Sequence, residues 1–118
     1  MKHLFLSLLF VIGYAISSLV NAQSSKITTE SIKVSGVCSS CKKRIENAAY
    51  IKGVKKATWD AKSQQLQVIY QSDKTNRATI ADAVLKTGHD ADGKVANDNN
   101  YKSLPPCCAY KEEGAHVH

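Results

Sequence analysis

The chain has 118 residues, with 16 Lys and Arg against 10 Asp and Glu, for a formal net charge of +6. That length holds one domain, or one domain with a tail, and excludes a two-domain enzyme with its site in an interdomain cleft. Four cysteines are too few to build a disulfide-held miniprotein of this size and too many to be incidental.

The N-terminus opens on a short basic start, Met1-Lys2-His3, followed by an apolar run from Leu4 to Ile16 and a small, polar stretch from Ser17 to Ala22. Val20 and Ala22 stand where a signal peptidase takes small side chains, which predicts residues 1–22 as a signal peptide. A retained anchor is the rival reading, but the run is short for one and is interrupted by Gly13 and Tyr14. Export follows, to the periplasm if the source is a Gram-negative bacterium. The alternation of Ile32 and Val34 predicts a strand over Thr28–Ser35. Gly36-Val37-Cys38-Ser39 reads as a loop. Cys41, Ile45 and Ala48 recur at helical spacing over Ser40–Ile51, with Gly53 as the stop. Lys55–Trp59 and Gln65–Tyr70 are strands joined by a turn at Asp60–Gln64. Asn76–Thr87 places Ile80, Val84 and Thr87 on one helical face, stopped by Gly88. A weak fourth strand around Lys94–Ala96 has only Val95 in its favour, and from Asn97 the composition shifts to that of a tail. The order is β-α-β-β-α-β. It predicts an α+β, ferredoxin-like sandwich of four antiparallel strands with two helices on one face, spanning residues 23–96, and a C-terminal tail over 97–118.

Cys38-Ser39-Ser40-Cys41 is a C-x-x-C where a strand hands over to a helix. Its spacing lets both sulfurs face one point, and the free N–H groups and dipole at that helix end favour thiolate over thiol. Lys42, Lys43 and Arg44 add positive charge. Two converging thiolates suit a soft ion of low coordination number, Cu(I) or Hg(II), whereas Zn(II) needs two further ligands. By itself a C-x-x-C serves metal, redox or structural roles.

The stretch Val34-Ser35-Gly36-Val37-Cys38-Ser39-Ser40-Cys41-Lys42-Lys43-Arg44-Ile45-Glu46, with Gly53-Val54 and Gly88-His89-Asp90 downstream, resembles the heavy-metal-associated (HMA) domain. That family includes copper chaperones and the periplasmic mercuric-ion-binding protein. The resemblance covers about Ile27 to Ala96. It implies Cys38 and Cys41 as metal ligands in a domain that carries metal to a transporter or scavenges it. The expected cargo is Cu(I), with Hg(II), Zn(II) or Cd(II) as others, and the expected partner a membrane metal transporter or another metal-accepting protein. The chain is expected to be a monomer that does not span the membrane once the signal is removed, with a metal-bridged dimer as the other arrangement.

The chain departs from the family pattern in three places. A methionine usually stands two residues before the first cysteine and packs under the metal loop; Gly36 is there instead, which predicts a shorter, looser loop. The residue after the glycine that ends the second helix is His89, beside the metal loop in this fold: a third ligand, a group that tunes metal release, or an exposed turn histidine. The tail adds Cys107 and Cys108, then His116 and His118. Adjacent cysteines rarely bridge each other without strain. About ten residues separate Asn97 from Cys107, a reach of at most roughly 33 Å. The expected fourth strand ends away from the metal loop, yet that reach permits a shared four-sulfur site. A separate tail site and Cys38/Cys41 to Cys107/Cys108 disulfides are the alternatives. A terminal His-x-His binds Cu(II) or Ni(II) loosely.

Lys42, Lys43 and Arg44 read either as a docking face for an acidic partner or as a solvated helix face. Export and the lack of interleaved aromatic and basic residues argue against nucleic acid. No catalytic constellation appears, so the chain is not expected to be an enzyme. The competing function is a thiol-disulfide protein using the CxxC and CC pairs, with Cys38 attacking and Cys41 resolving; the chain lacks the thioredoxin-like motif and strand order.

Overall fold

A computed structural model describes residues 26–112. The expected signal peptide at residues 1–22 lies outside the described residues, as do His116 and His118. β1 (Ile27–Lys33), α1 (Ser39–Ala49), β2 (Val54–Asp60), β3 (Gln65–Gln71), α2 (Arg77–Leu85) and a short α3 (Asp98–Lys102) follow in order, and a 3-10 turn covers Pro106–Cys108. Alternation along each strand turns one set of side chains inward. The antiparallel sheet has the order β1-β3-β2, and its register sets Ile32 and Trp59 on either side of Leu66 in one row. With Ala57, Val68 and Tyr70 these residues form the buried face of the sheet. The stripe Cys41, Ile45 and Ala49 of α1 packs there, and so do Ile80, Ala81 and Val84 of α2. Asn76 caps α2, its side-chain oxygen accepting from the Thr79 N–H at 2.9 Å.

The strand expected around Lys94–Ala96 does not join the sheet. Val34 pairs with Ala91 through one isolated bridge, and Ala91 then pairs with Lys94. Between them Asp92 and Gly93 take φ of 53° and 77°, the two-residue geometry that reverses a chain on the spot. A ladder along β1 therefore stops after one bridge. Val95, the apolar residue that suggested the strand, is 71% exposed, and Ala96 N–H donates to the Asp90 carboxylate at 2.8 Å. The four-stranded expectation is corrected to three strands among the described residues.

This reversal has a second consequence. The chain is sent back over the loop that follows α2, and residues 97–112 fold against the domain. Leu104 and Cys108 are buried in the same core as the sheet and helices, with Tyr101 and Tyr110 packed against it.

Arg77 at the start of α2 ties down the reversing turn through two hydrogen bonds to Asp92, Nε to Oδ2 at 3.0 Å and Nη2 to Oδ1 at 2.9 Å. That guanidinium holds the Asp92 carboxyl below its usual range. A carboxylate whose pKa is depressed by folding stabilises the native state above its unfolded value and loses that contribution as pH falls through the folded one. Asp92→Asn keeps a side chain that tolerates positive φ. It should cost up to about 1 kcal/mol at neutral pH, the pair being partly exposed. In urea unfolding at a series of pH values, the difference from the parent should shrink once pH falls below about 3.9.

Candidate metal centre

Three chain segments meet at the end of the sheet where β1 leaves it. The first is the loop from Val34 to Cys38. Val34 N–H donates to the Gln64 carbonyl at 2.9 Å, and Gly36 N–H to the Gln64 side-chain oxygen at 2.9 Å. The β2–β3 turn thus splices this loop to the sheet. Beneath it lies Trp59. Its ring carbons are 3.0 Å from where a Cβ on Gly36 would stand, and its Nε1–H donates to the Val34 carbonyl at 2.9 Å. The indole packs directly under Gly36, so the loop expected to be loose is packed, with Val37 and Cys38 buried. Trp59→Phe removes the donor to a buried carbonyl and leaves a gap under Gly36. A loss of about 2–3 kcal/mol is expected, read by urea unfolding followed by circular dichroism.

Cys38 is the N-cap residue of α1 and Cys41 sits in its first turn, as the C-x-x-C spacing predicts. Their sulfurs are 3.3 Å apart. Burial works against the Cys38 thiolate, but hydrogen bonds from the Cys41 backbone, the Cys41 and Cys108 thiols and the Ser40 backbone outweigh it and hold its pKa below the ordinary cysteine value. Burial pushes the Cys41 thiol up, against hydrogen bonds from Cys108 and the backbone at Val37 and Cys38. Of the basic residues that follow, Lys42 is engaged with Glu46 and with the Trp59 carbonyl at 2.9 Å, while Lys43 and Arg44 face solvent.

The second segment is the loop after α2. His89 is fully buried, so the exposed-turn reading does not hold. Its Nδ1 lies 2.7 Å from the Ser35 carbonyl. A carbonyl only accepts, so Nδ1 carries the proton and Nε2 the free lone pair. Nε2 has no hydrogen-bond partner. Burial, helped by the Arg44 charge, holds the imidazole pKa below its ordinary value, which keeps the ring neutral and fit to ligate.

The third segment is the tail. Cys108 is fully buried with its sulfur 3.7 Å from that of Cys38, whereas Cys107 is exposed with its sulfur 3.9 Å from that of Cys108. Burial, then the thiols of Cys41 and Cys38, pushes the Cys108 thiol far up, opposite to the direction for Cys38. All four cysteines are free thiols. Cys38, Cys41, Cys107, Cys108 and His89 therefore stand in one cluster. Tyr110 was not singled out from the sequence, yet it holds the tail there. Its ring stacks on His89 with centroids 5.4 Å apart, and its hydroxyl accepts from the Asp90 N–H at 2.9 Å and lies 3.0 Å from the Gly88 carbonyl. Gln64, and the support that the buried Trp59 gives this loop, were missed in the same way, because a residue that supports a loop from another element leaves no local spacing to read.

The heavy-metal-associated domain family matches residues 31–90, a stretch that holds Cys38, Cys41 and His89 and stops short of the tail. No curated protein matches the chain. Among solved structures the chain is similar to a CopZ metallochaperone, at 30% identity and a TM-score of 0.53 over 54% of this chain and 98% of that one. It is similar to the water-soluble region of the P-type ATPase CopA from Bacillus subtilis, at 28% identity and a TM-score of 0.53 over 58% of this chain and 47% of that one. A copper-binding domain from the P-type ATPase HMA7 shares the fold at 22% identity, with a TM-score of 0.52 over 53% of this chain and 88% of that one.

Proposed function

The chain belongs to the heavy-metal-associated domain family, and from that premise we propose that it carries a soft metal ion, Cu(I) first, and hands it to an accepting protein by ligand exchange. The observation that carries this reading is the pair of sulfurs 3.3 Å apart at the start of α1, Cys38 and Cys41, with a third from Cys108 3.7 Å from Cys38. Thiolates select Cu(I) over harder ions, and Hg(II) takes the same donors. Cargo is gripped by Cys38 and Cys41, and Cys108 completes a three-sulfur set. An incoming thiolate of the acceptor takes the coordination place of Cys108. A second incoming thiolate then displaces Cys38, and Cys41, the more buried of the C-x-x-C pair, lets go last. Each sulfur that leaves takes up one proton, and no electron moves.

Export, to the periplasm in a Gram-negative source, is proposed from the apolar run at residues 4–16 and the small residues before Gln23. No helix among the described residues is long and apolar enough to cross a membrane. The acceptor is proposed to be a membrane metal transporter, given the likeness to a metallochaperone and to a soluble region of a P-type ATPase.

Competition of the reduced chain for Cu(I) against a chelator of known affinity tests this. A Kd of nanomolar or tighter, worth about −12 kcal/mol, is expected. Binding no tighter than micromolar would sink the carrier reading and turn attention to thiol-disulfide exchange among the same sulfurs.

A further inference from the structure

The cluster offers more donors than one soft ion uses, and they fall into two sets. Cys38, Cys107 and Cys108 present ligand atoms that all lie within 4.8 Å of one another, and Cys41, His89 and Cys108 do the same. Cys108 is the member common to both. Resting on the carrier reading above, we propose that the chain binds a pair of Cu(I) ions bridged by the Cys108 thiolate, one held also by Cys38 and Cys107, the other by Cys41 and His89.

The donor chemistry fits. A thiolate sulfur keeps three lone pairs and can bond two ions at once, and Cu(I), a filled-shell soft ion, accepts three-coordination by thiolate and imidazole. His89 has the arrangement of a metal-binding histidine: one ring nitrogen donates to a backbone carbonyl, which fixes the tautomer and aims the lone pair of the other. That other nitrogen, Nε2, is buried without a partner, a state that costs free energy and that a metal ion relieves. Each thiol gives up its proton to solvent as copper binds, four protons per pair of ions. The copper enters as Cu(I) and stays so.

The two positions differ in access. Cys107 is exposed, so the ion it helps to hold is open to an incoming thiolate. Cys41, His89 and Cys108 are all fully buried, and they come from α1, from the loop after α2 and from the tail. The inner ion therefore staples three segments together, and its binding energy adds to the stability of the fold. With a single ion bound, Cys38 and Cys41 share it; a second ion divides the two sulfurs between the two positions, and the outer ion is then the one an acceptor takes first.

The test is to titrate the full chain, reduced and under exclusion of oxygen, with Cu(I) against a chromophoric chelator, counting bound ions by native mass spectrometry. Two Cu(I) per monomer are expected, with a copper–copper vector in X-ray absorption. Cys107→Ser alters an exposed side chain and should bind one ion, with circular dichroism unchanged. His116→Ala with His118→Ala should retain two. A single ion in the parent chain, two in Cys107→Ser, loss of one in the histidine variant, or no copper–copper vector overturns the bridged pair while leaving a one-ion carrier standing. No tight copper in any of them overturns the carrier reading and the pair with it.

Discussion

Replacing Cys38 by serine together with Cys41 by alanine is expected to weaken Cu(I) binding at least about a thousandfold, roughly 4 kcal/mol, and to leave the fold in place. The two residues supply the closest pair of sulfurs in the cluster, at 3.3 Å, and Cys38 is the thiol whose ionisation the helix start favours. A serine oxygen is a hard donor that stays protonated at neutral pH, so it cannot stand in for thiolate toward a soft ion. Cys41 is fully buried, where an unpartnered hydroxyl would cost about 1–3 kcal/mol; alanine at that position separates loss of a ligand from loss of the fold. Circular dichroism checks the fold and competition titration reads the affinity. Undiminished affinity in this variant would place the metal elsewhere and leave the C-x-x-C without its proposed role.

Gly88→Ala carries the second large effect, and it acts through the tail. Gly88 has φ +102°, and a Cβ there would stand 2.5 Å from the Asn100 carbonyl oxygen and 3.0 Å from the Leu104 side chain. An L-residue in this left-handed region costs about 1–2 kcal/mol, and forcing a methyl into a packed contact about 1–3 more. The obstructing atom is backbone, so the clash is relieved only by lifting α3, and with it Leu104, Cys108 and the Tyr110 ring on His89. The urea midpoint should fall accordingly. Copper affinity should fall as well, although the C-x-x-C is untouched, because Cys108 moves away from Cys38. Gly93→Ala is the control. It also sits at positive φ, 77°, but nothing lies within 4 Å of its would-be Cβ, so it should cost stability alone. Equal affinities in the two variants would show that the tail sulfur takes no part in binding.

The segment Lys94–Ala96 and the tail show why some features can be read from one stretch of chain and others cannot. Period-two alternation in β1 and β3, and the recurrence of Cys41 and Ile45 in α1, are imposed by the need of each element to bury one face, so they are written locally. Asp92-Gly93 carries its own turn signal, but Val95 beside it suggested a strand; the turn prevailed because a reversal at Ala91–Lys94 leaves no length for a ladder. His89 was legible as a candidate ligand from its place after Gly88, yet its burial depends on Tyr110, twenty-one residues on. Trp59 under Gly36 is the same kind of case: the two residues are far apart in sequence, and only the fold lays the indole against the glycine.

The amino-acid sequence alone determined the order of the five main elements, the family, and the placing of Cys38 and Cys41 at a helix start, because periodicity and short spacings are enforced within one turn or one strand. Only the tertiary structure decided that the sheet stops at three strands among the described residues, that the loop over Trp59 is packed, and that Cys107, Cys108 and His89 share one cluster with the C-x-x-C. Those outcomes hang on the direction in which the chain leaves Lys94. That direction is set by backbone reversal at Asp92-Gly93 and by the close seating of α3 on a glycine without a side chain, contacts between segments whose spacing in sequence carries no period to read.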